Sequence, residues 1–166
     1  MSYRNKTYVI FDGDNDMWAY AYMKGWKQSE HIDFDFYDAH DLKPLILRAS
    51  DDTVYARLKE RMANTKQAVV LIGEKTKNLF KFVRWELELT LKNDIPLIAV
   101  NLNDKRQCDY DRCPAIIRDE YVVHIPFKAK ILQYALDHFP DEHARRDRNT
   151  KGARFYKDEV YRQLGL

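Results

Sequence analysis

The chain has 166 residues, 45% hydrophobic and 33% charged, which fits one globular domain with a real core and excludes a disordered polymer. A formal net charge of +2 supplies no global field for nucleic acid or an anionic membrane. No apolar run is long enough to span a bilayer, and the residues before Tyr8 lack a signal peptide's apolar stretch, so a cytoplasmic protein without membrane or nucleic-acid partners is expected.

Short apolar runs alternate with longer segments of helical period. Residues 8–11 read as a strand and 16–27 as an aromatic-rich helix. Residues 32–36 alternate strictly, as a half-exposed strand does. A long polar connection, 38–52, leads to a helix over 53–64, with Asp51, Asp52 or Thr53 available near its start. Residues 68–72 are continuously apolar, which suits a central strand. A helix over 79–93 follows, then a strand over 96–100, a Cys/Asp-rich loop and a short helix near 114–118. A strand over 121–125, a helix over 128–139 and a short terminal helix over 156–164 complete the chain. This order predicts a three-layer α/β fold of flavodoxin-like type. Its sheet has five parallel strands in the order 2-1-3-4-5, with helices on both faces. Residues 1–140 form the domain. Residues 141–166 form a basic extension with a short helix, packed on the same domain.

In such a sheet ligands bind beyond the carboxyl ends of the strands. The first strand ends in Phe11-Asp-Gly-Asp-Asn-Asp16. Its acids suit a divalent cation, sugar hydroxyls, or the N-cap of the next helix. The third strand ends in Gly73-Glu-Lys-Thr76, without the phosphoacceptor Asp of a receiver domain. Walker and G-x-S-x-G patterns are both missing. Cys108 and Cys113 make one C-x₄-C with no second pair or nearby His, so free thiols and no metal site are expected. His124 lies inside a strand and reads as a packed or edge histidine.

The helix over 79–93 holds the most informative residue. At about 100° per residue, Leu79, Phe80, Val83, Leu87, Thr90 and Leu91 share one arc. Lys81, Arg84, Glu88 and Lys92 lie opposite, with Glu88 flanked by cations one turn away. Glu86 points instead to the edge of the core-facing arc. A carboxylate there loses hydration, so it is either a satisfied structural pair or a working acid. Trp85 projects toward the polar side, either as a partner contact or beneath a loop.

Phe11-Asp-x-Asp-Asn-Asp16, the Val-Val-Leu-Ile-Gly strand, Thr76 and Val83-Arg-Trp-Glu86 together resemble the TIR-like domains of the Thoeris antiphage system, the ThsB-type subunit. The resemblance runs from residue 6 to about residue 103. Ordinary TIR domains carry W-C-x-x-E in this helix, and here Phe82 and Val83 stand where that Trp and Cys would be. The resemblance implies an NAD⁺-cleaving enzyme with Glu86 as catalytic residue. NAD⁺ is then the substrate and no cofactor is needed. The product, an ADP-ribose-derived signal, activates a separate effector protein. Phe11, Asp12, Asn15, Asp38 and Thr76 are expected to contact the nucleotide, with 38–52 placed as a lid. Water exclusion needs a lid or a neighbouring subunit, so self-assembly or a phage-derived activator is expected. The alternative is a non-catalytic TIR-like interaction module with a structural Glu86.

Overall fold

A computed structural model describes residues 5–28, 35–37 and 48–166. In chain order the elements are β1 (Asn5–Ile10), α1 (Met17–Gln28), β2 (Asp35–Tyr37), α2 (Asp51–Ala63), β3 (Gln67–Ile72), a 3₁₀ turn (Thr76–Asn78), α3 (Phe82–Lys92), β4 (Leu97–Asn101), α4 (Ala115–Arg118), β5 (Val123–Pro126), α5 (Ala129–Arg145), β6 (Arg154–Phe155) and α6 (Asp158–Gln163). The strands form one sheet in the order β2-β1-β3-β4-β5-β6, and every pairing is parallel. The expected 2-1-3-4-5 order is realised, with a short sixth strand added beside β5.

The continuous apolar runs become β3 and β4 because both faces of those strands are covered, and each residue in them is buried. Alternate residues feed opposite cores. Val9, Val69, Leu71, Ile98, Val100, Val123 and Ile125 pack against α1, α5 and Tyr161 of α6. Tyr8, Ile10, Ala68, Val70, Ile72, Leu97 and Ala99 pack against α2, α3 and α4. A one-residue slip in any strand would exchange the two sets.

Several boundaries differ from the sequence reading, each for a local reason. Ser50 is the N-cap of α2, with its hydroxyl accepting from the Thr53 amide; Asp51 and Asp52 occupy the first turn, where they favour the helix dipole. The helix over 79–93 starts only at Phe82, because Thr76–Asn78 close a 3₁₀ turn first. Residues 79–81 are therefore out of helical phase, and Phe80 is exposed rather than in the core arc. Leu89, outside that arc, is buried. Trp85 is half-buried, edge-on to Tyr55 and Phe82 with centroids 5.6 and 5.5 Å away. It packs between α2 and α3, against a helix and not beneath a loop. α5 runs through Pro140 to Arg145 because Phe139, Pro140 and His143 continue its buried face. That packing outweighs the lost amide donor.

The segment after α5 returns to the sheet. Arg154 and Phe155 pair with Val123 and His124, and the Tyr161 ring is fully buried. No helix among the described residues is long and apolar enough to cross a membrane.

Candidate active site

Glu86 sits in the second turn of α3, on the face that meets β1. Tyr8 projects from β1 into the same core and is 1% exposed. Its hydroxyl donates a hydrogen bond to the Glu86 carboxylate, and Arg61 of α2 adds positive charge at longer range. These two favour the ionised form, but burial opposes it more strongly, and the carboxyl is pushed up to about 8. Glu86 as a residue keeps some accessible surface, but its carboxyl lies on the core side, where among the described residues the Tyr8 phenol is its hydrogen-bonding side chain. Burial and then the Glu86 charge raise the Tyr8 phenol in turn. One turn on, the Thr90 hydroxyl donates to the Glu86 carbonyl at 2.7 Å. This fixes the backbone beneath the carboxylate. Glu88 differs completely: it pairs with Arg84 at 2.8 Å on the solvent side, as its spacing predicts.

The remaining candidates divide into two groups. Phe11 is on the other face of the sheet, stacked on Tyr20 at 4.8 Å. The geometry does not bring its ring to Glu86. Asp12 and Asn15 are bound to each other at the carboxyl end of β1. Asp12 Oδ1 accepts the amides of Asp14 and Asn15, and Oδ2 accepts the Asn15 side-chain amide at 2.6 Å. This is an Asx-type turn leading into α1. Thr76 Oγ1 accepts the Gly73 amide at 2.9 Å and lies 3.5 Å from Asp16 Oδ2. Asp38 and residues 39–47 of the expected lid lie outside the described residues.

Asp16 was not among the candidates, yet it is 6% exposed and links the ends of β1 and β3. Its carboxylate fills the space over Gly73, where an added Cβ would stand 2.3 Å from Oδ2. Burial, then the nearby Asp12 charge, raises its pKa. The G-x-x-T sequence is the signal for this contact, because Gly leaves the space and Thr supplies the hydroxyl. A second unforeseen cluster lies in the loop after β4. His124 is near in space, though not in sequence, to Cys108 and Cys113, and the donor atoms of all three lie within 4.8 Å of one another. The expectation of no histidine beside these thiols is corrected by the sheet, which carries β5 back alongside β4.

At the opposite, amino-terminal end of β4 a 390 Å³ cleft is lined by Asp94, Glu120, His143, Arg146 and Lys151. Arg146 pairs with Asp94 at 2.6 Å and Lys151 with Glu120 at 2.7 Å. Those cations are already neutralised, which suits a brace between α3 and the C-terminal segment.

No curated protein matches the chain. The profile for the TIR-like domain of the Thoeris protein ThsB matches residues 8–107, a span that begins within β1 and runs past β4, with Tyr8, Glu86 and the Asp16–Gly73 contact inside it. With the parallel 2-1-3-4-5 sheet and a glutamate on the helix after β3, that match establishes that the chain belongs to the TIR-like domain family of the Thoeris antiphage-defence protein ThsB.

Proposed function

We propose that this protein cleaves the nicotinamide–ribose bond of NAD⁺ and converts the ADP-ribosyl group into a signalling nucleotide for a separate effector. The observation that carries the reading is the Glu86 carboxyl, buried against a single phenol and pushed up to about 8 in the helix where TIR enzymes hold their glutamate. Nicotinamide leaves as a neutral base and needs little acid assistance. Cleavage develops positive charge on the ribose, as in glycoside hydrolysis. A desolvated carboxylate opposes that charge more strongly than a hydrated one. In the resting protein the carboxyl is largely protonated near neutral pH. The arriving pyridinium favours its ionised form, so the carboxylate forms where the cation is bound. Tyr8 then orients one oxygen.

NAD⁺ is the substrate in this scheme, not a resident cofactor. Asp12, Asn15, Asp38 and Thr76 are assigned to the nucleotide side of the site. The engagement of Asp12 with Asn15 means that it acts chiefly by shaping the turn. Transfer to a nucleophile other than water needs a closed site, so assembly or a phage-derived activator completes it.

A second reading has its own support. Tyr8 and Glu86 make a satisfied buried pair, as a non-catalytic interaction module would contain. Nucleotide mass spectrometry of phage-infected cells separates the two. Wild-type protein is expected to deplete NAD⁺ and accumulate an ADP-ribose derivative, while Glu86→Gln does neither, with a loss of at least about 100-fold. Product formation by Glu86→Gln at the wild-type rate would sink the enzymatic assignment.

A further inference from the structure

His124 occupies the centre of β5, paired with Ala99 of β4, and none of its surface is exposed. Among the described residues neither Nδ1 nor Nε2 has a hydrogen-bond partner. A neutral imidazole carries one N–H and one lone pair, and leaving both unmet in a core costs several kcal/mol. Its neighbours are the Cys108 and Cys113 sulfurs, within 4.8 Å of the ring nitrogen and of each other. Cys113 is fully buried and Cys108 partly so, and both are free thiols.

The loop carrying the two thiols is built to hold them still. The Asn101 side-chain amide donates to the Lys105 and Gln107 carbonyls at 2.9 and 2.8 Å. Asp109, 3% exposed, accepts from Asn103 Nδ2 at 2.8 Å and from the Asp111 amide at 3.0 Å. The Cys113 amide donates to the Asp109 carbonyl at 2.8 Å. Such a loop returns both sulfurs to one point above His124.

We propose that Cys108, Cys113 and His124 bind one zinc ion that fastens the β4–α4 loop to β5. Two sulfurs and a nitrogen are a soft set that suits zinc. Tetrahedral bonds of about 2.3 Å to sulfur and about 2.0–2.1 Å to nitrogen place donors roughly 3.6–3.8 Å apart, so the cluster, within 4.8 Å as it stands, closes by at most about 1.2 Å on binding. Two thiolates and a neutral imidazole balance Zn²⁺ to zero net charge, which a buried site requires. The two thiol protons leave to solvent as the metal enters. The partly accessible Cys108 side opens the fourth position to water.

The test uses the full chain purified under reducing conditions without added metal. Elemental mass spectrometry is expected to find one zinc per chain. Cobalt exchange is expected to give a thiolate-to-metal charge-transfer band in the near ultraviolet and ligand-field bands in the red. Cys108→Ser/Cys113→Ser should lose both signals, and His124→Asn should weaken zinc affinity by more than about 100-fold, beyond the range of an outer-shell partner. A thiol-reactivity assay on wild-type protein covers the case of a variant that does not fold. Chelator should leave Cys108, the partly accessible thiol, reactive, and added zinc should protect it. A metal-free wild type whose thiols react equally with and without zinc overturns the site, as does a folded double serine variant that keeps the cobalt spectrum.

Discussion

Two acidic side chains in this protein lose water on folding and answer in opposite ways. Glu86 is pushed up to about 8; Asp109 is drawn down to about 2. Burial raises both. What differs is the number of donors that replace the lost water. Glu86 has one phenol and a more distant guanidinium. Asp109 has the Asn103 amide, the Lys105 ammonium at 3.1 Å and the Asp111 backbone amide. A fully bonded carboxylate locks a loop, whereas an under-bonded one stays protonated until a neighbouring cation favours its charge.

The comparison can be broken first at Glu86. Its pKa is raised above the ordinary 4.5, so the folded state holds a proton that the unfolded state has released. The Glu86 contribution to stability therefore declines as pH rises from about 4.5 to about 8, and is flat beyond. Glu86→Gln removes that decline. Urea unfolding at pH 8 is expected to show the variant more stable by about 2–4 kcal/mol, after discounting the residue's accessible surface. Equal or lower stability at pH 8 would mean that Glu86 is a contented structural group.

Asp109 reverses the sign. Its pKa lies below the ordinary 3.8, so its contribution is present above about pH 4 and is lost as pH falls through about 2. Asp109→Asn should cost about 2 kcal/mol at neutral pH, with the gap to wild type closing in acid. A gap independent of pH would place the effect in packing. Tyr8→Phe tests the single donor at Glu86. Removing it disfavours the carboxylate further, and the alkaline rise of the NAD⁺-cleavage profile is expected to move upward by roughly one pH unit, about 1 kcal/mol. An unmoved profile would detach Tyr8 from the chemistry. Glu88→Gln is the smallest change. Its exposed pair with Arg84 is worth about 0.3–0.5 kcal/mol, so both stability and nucleotide turnover should stay near wild type.

What could be read from the sequence follows local physics. The β3 and β4 runs announce central strands because both faces are apolar, and α3 shows an acid at its core edge through period alone. Contacts between distant strands were hidden. Tyr8 meets Glu86, Asp16 meets Gly73, and His124 meets Cys108 and Cys113 only after parallel pairing has set the register, and no periodicity encodes that meeting. The starts of α2 and α3 were displaced by a smaller effect: a cap and a 3₁₀ turn shift a helix boundary by two or three residues, and every phase-based side-chain direction shifts with it.

The sheet's uniform direction has a kinetic consequence. None of the described strands can pair with its sequence neighbour through a tight hairpin, so each rung waits for a crossover to fold and dock. The Thr7–Gln67 hydrogen bond, 2.8 Å long across 60 positions, joins the rear of β1 to β3. Until that loop closes, β1 has a free edge along its whole length. Refolding should therefore run in milliseconds to seconds rather than microseconds, and during that interval an exposed Tyr-Val-Ile edge is the segment most able to pair with another chain.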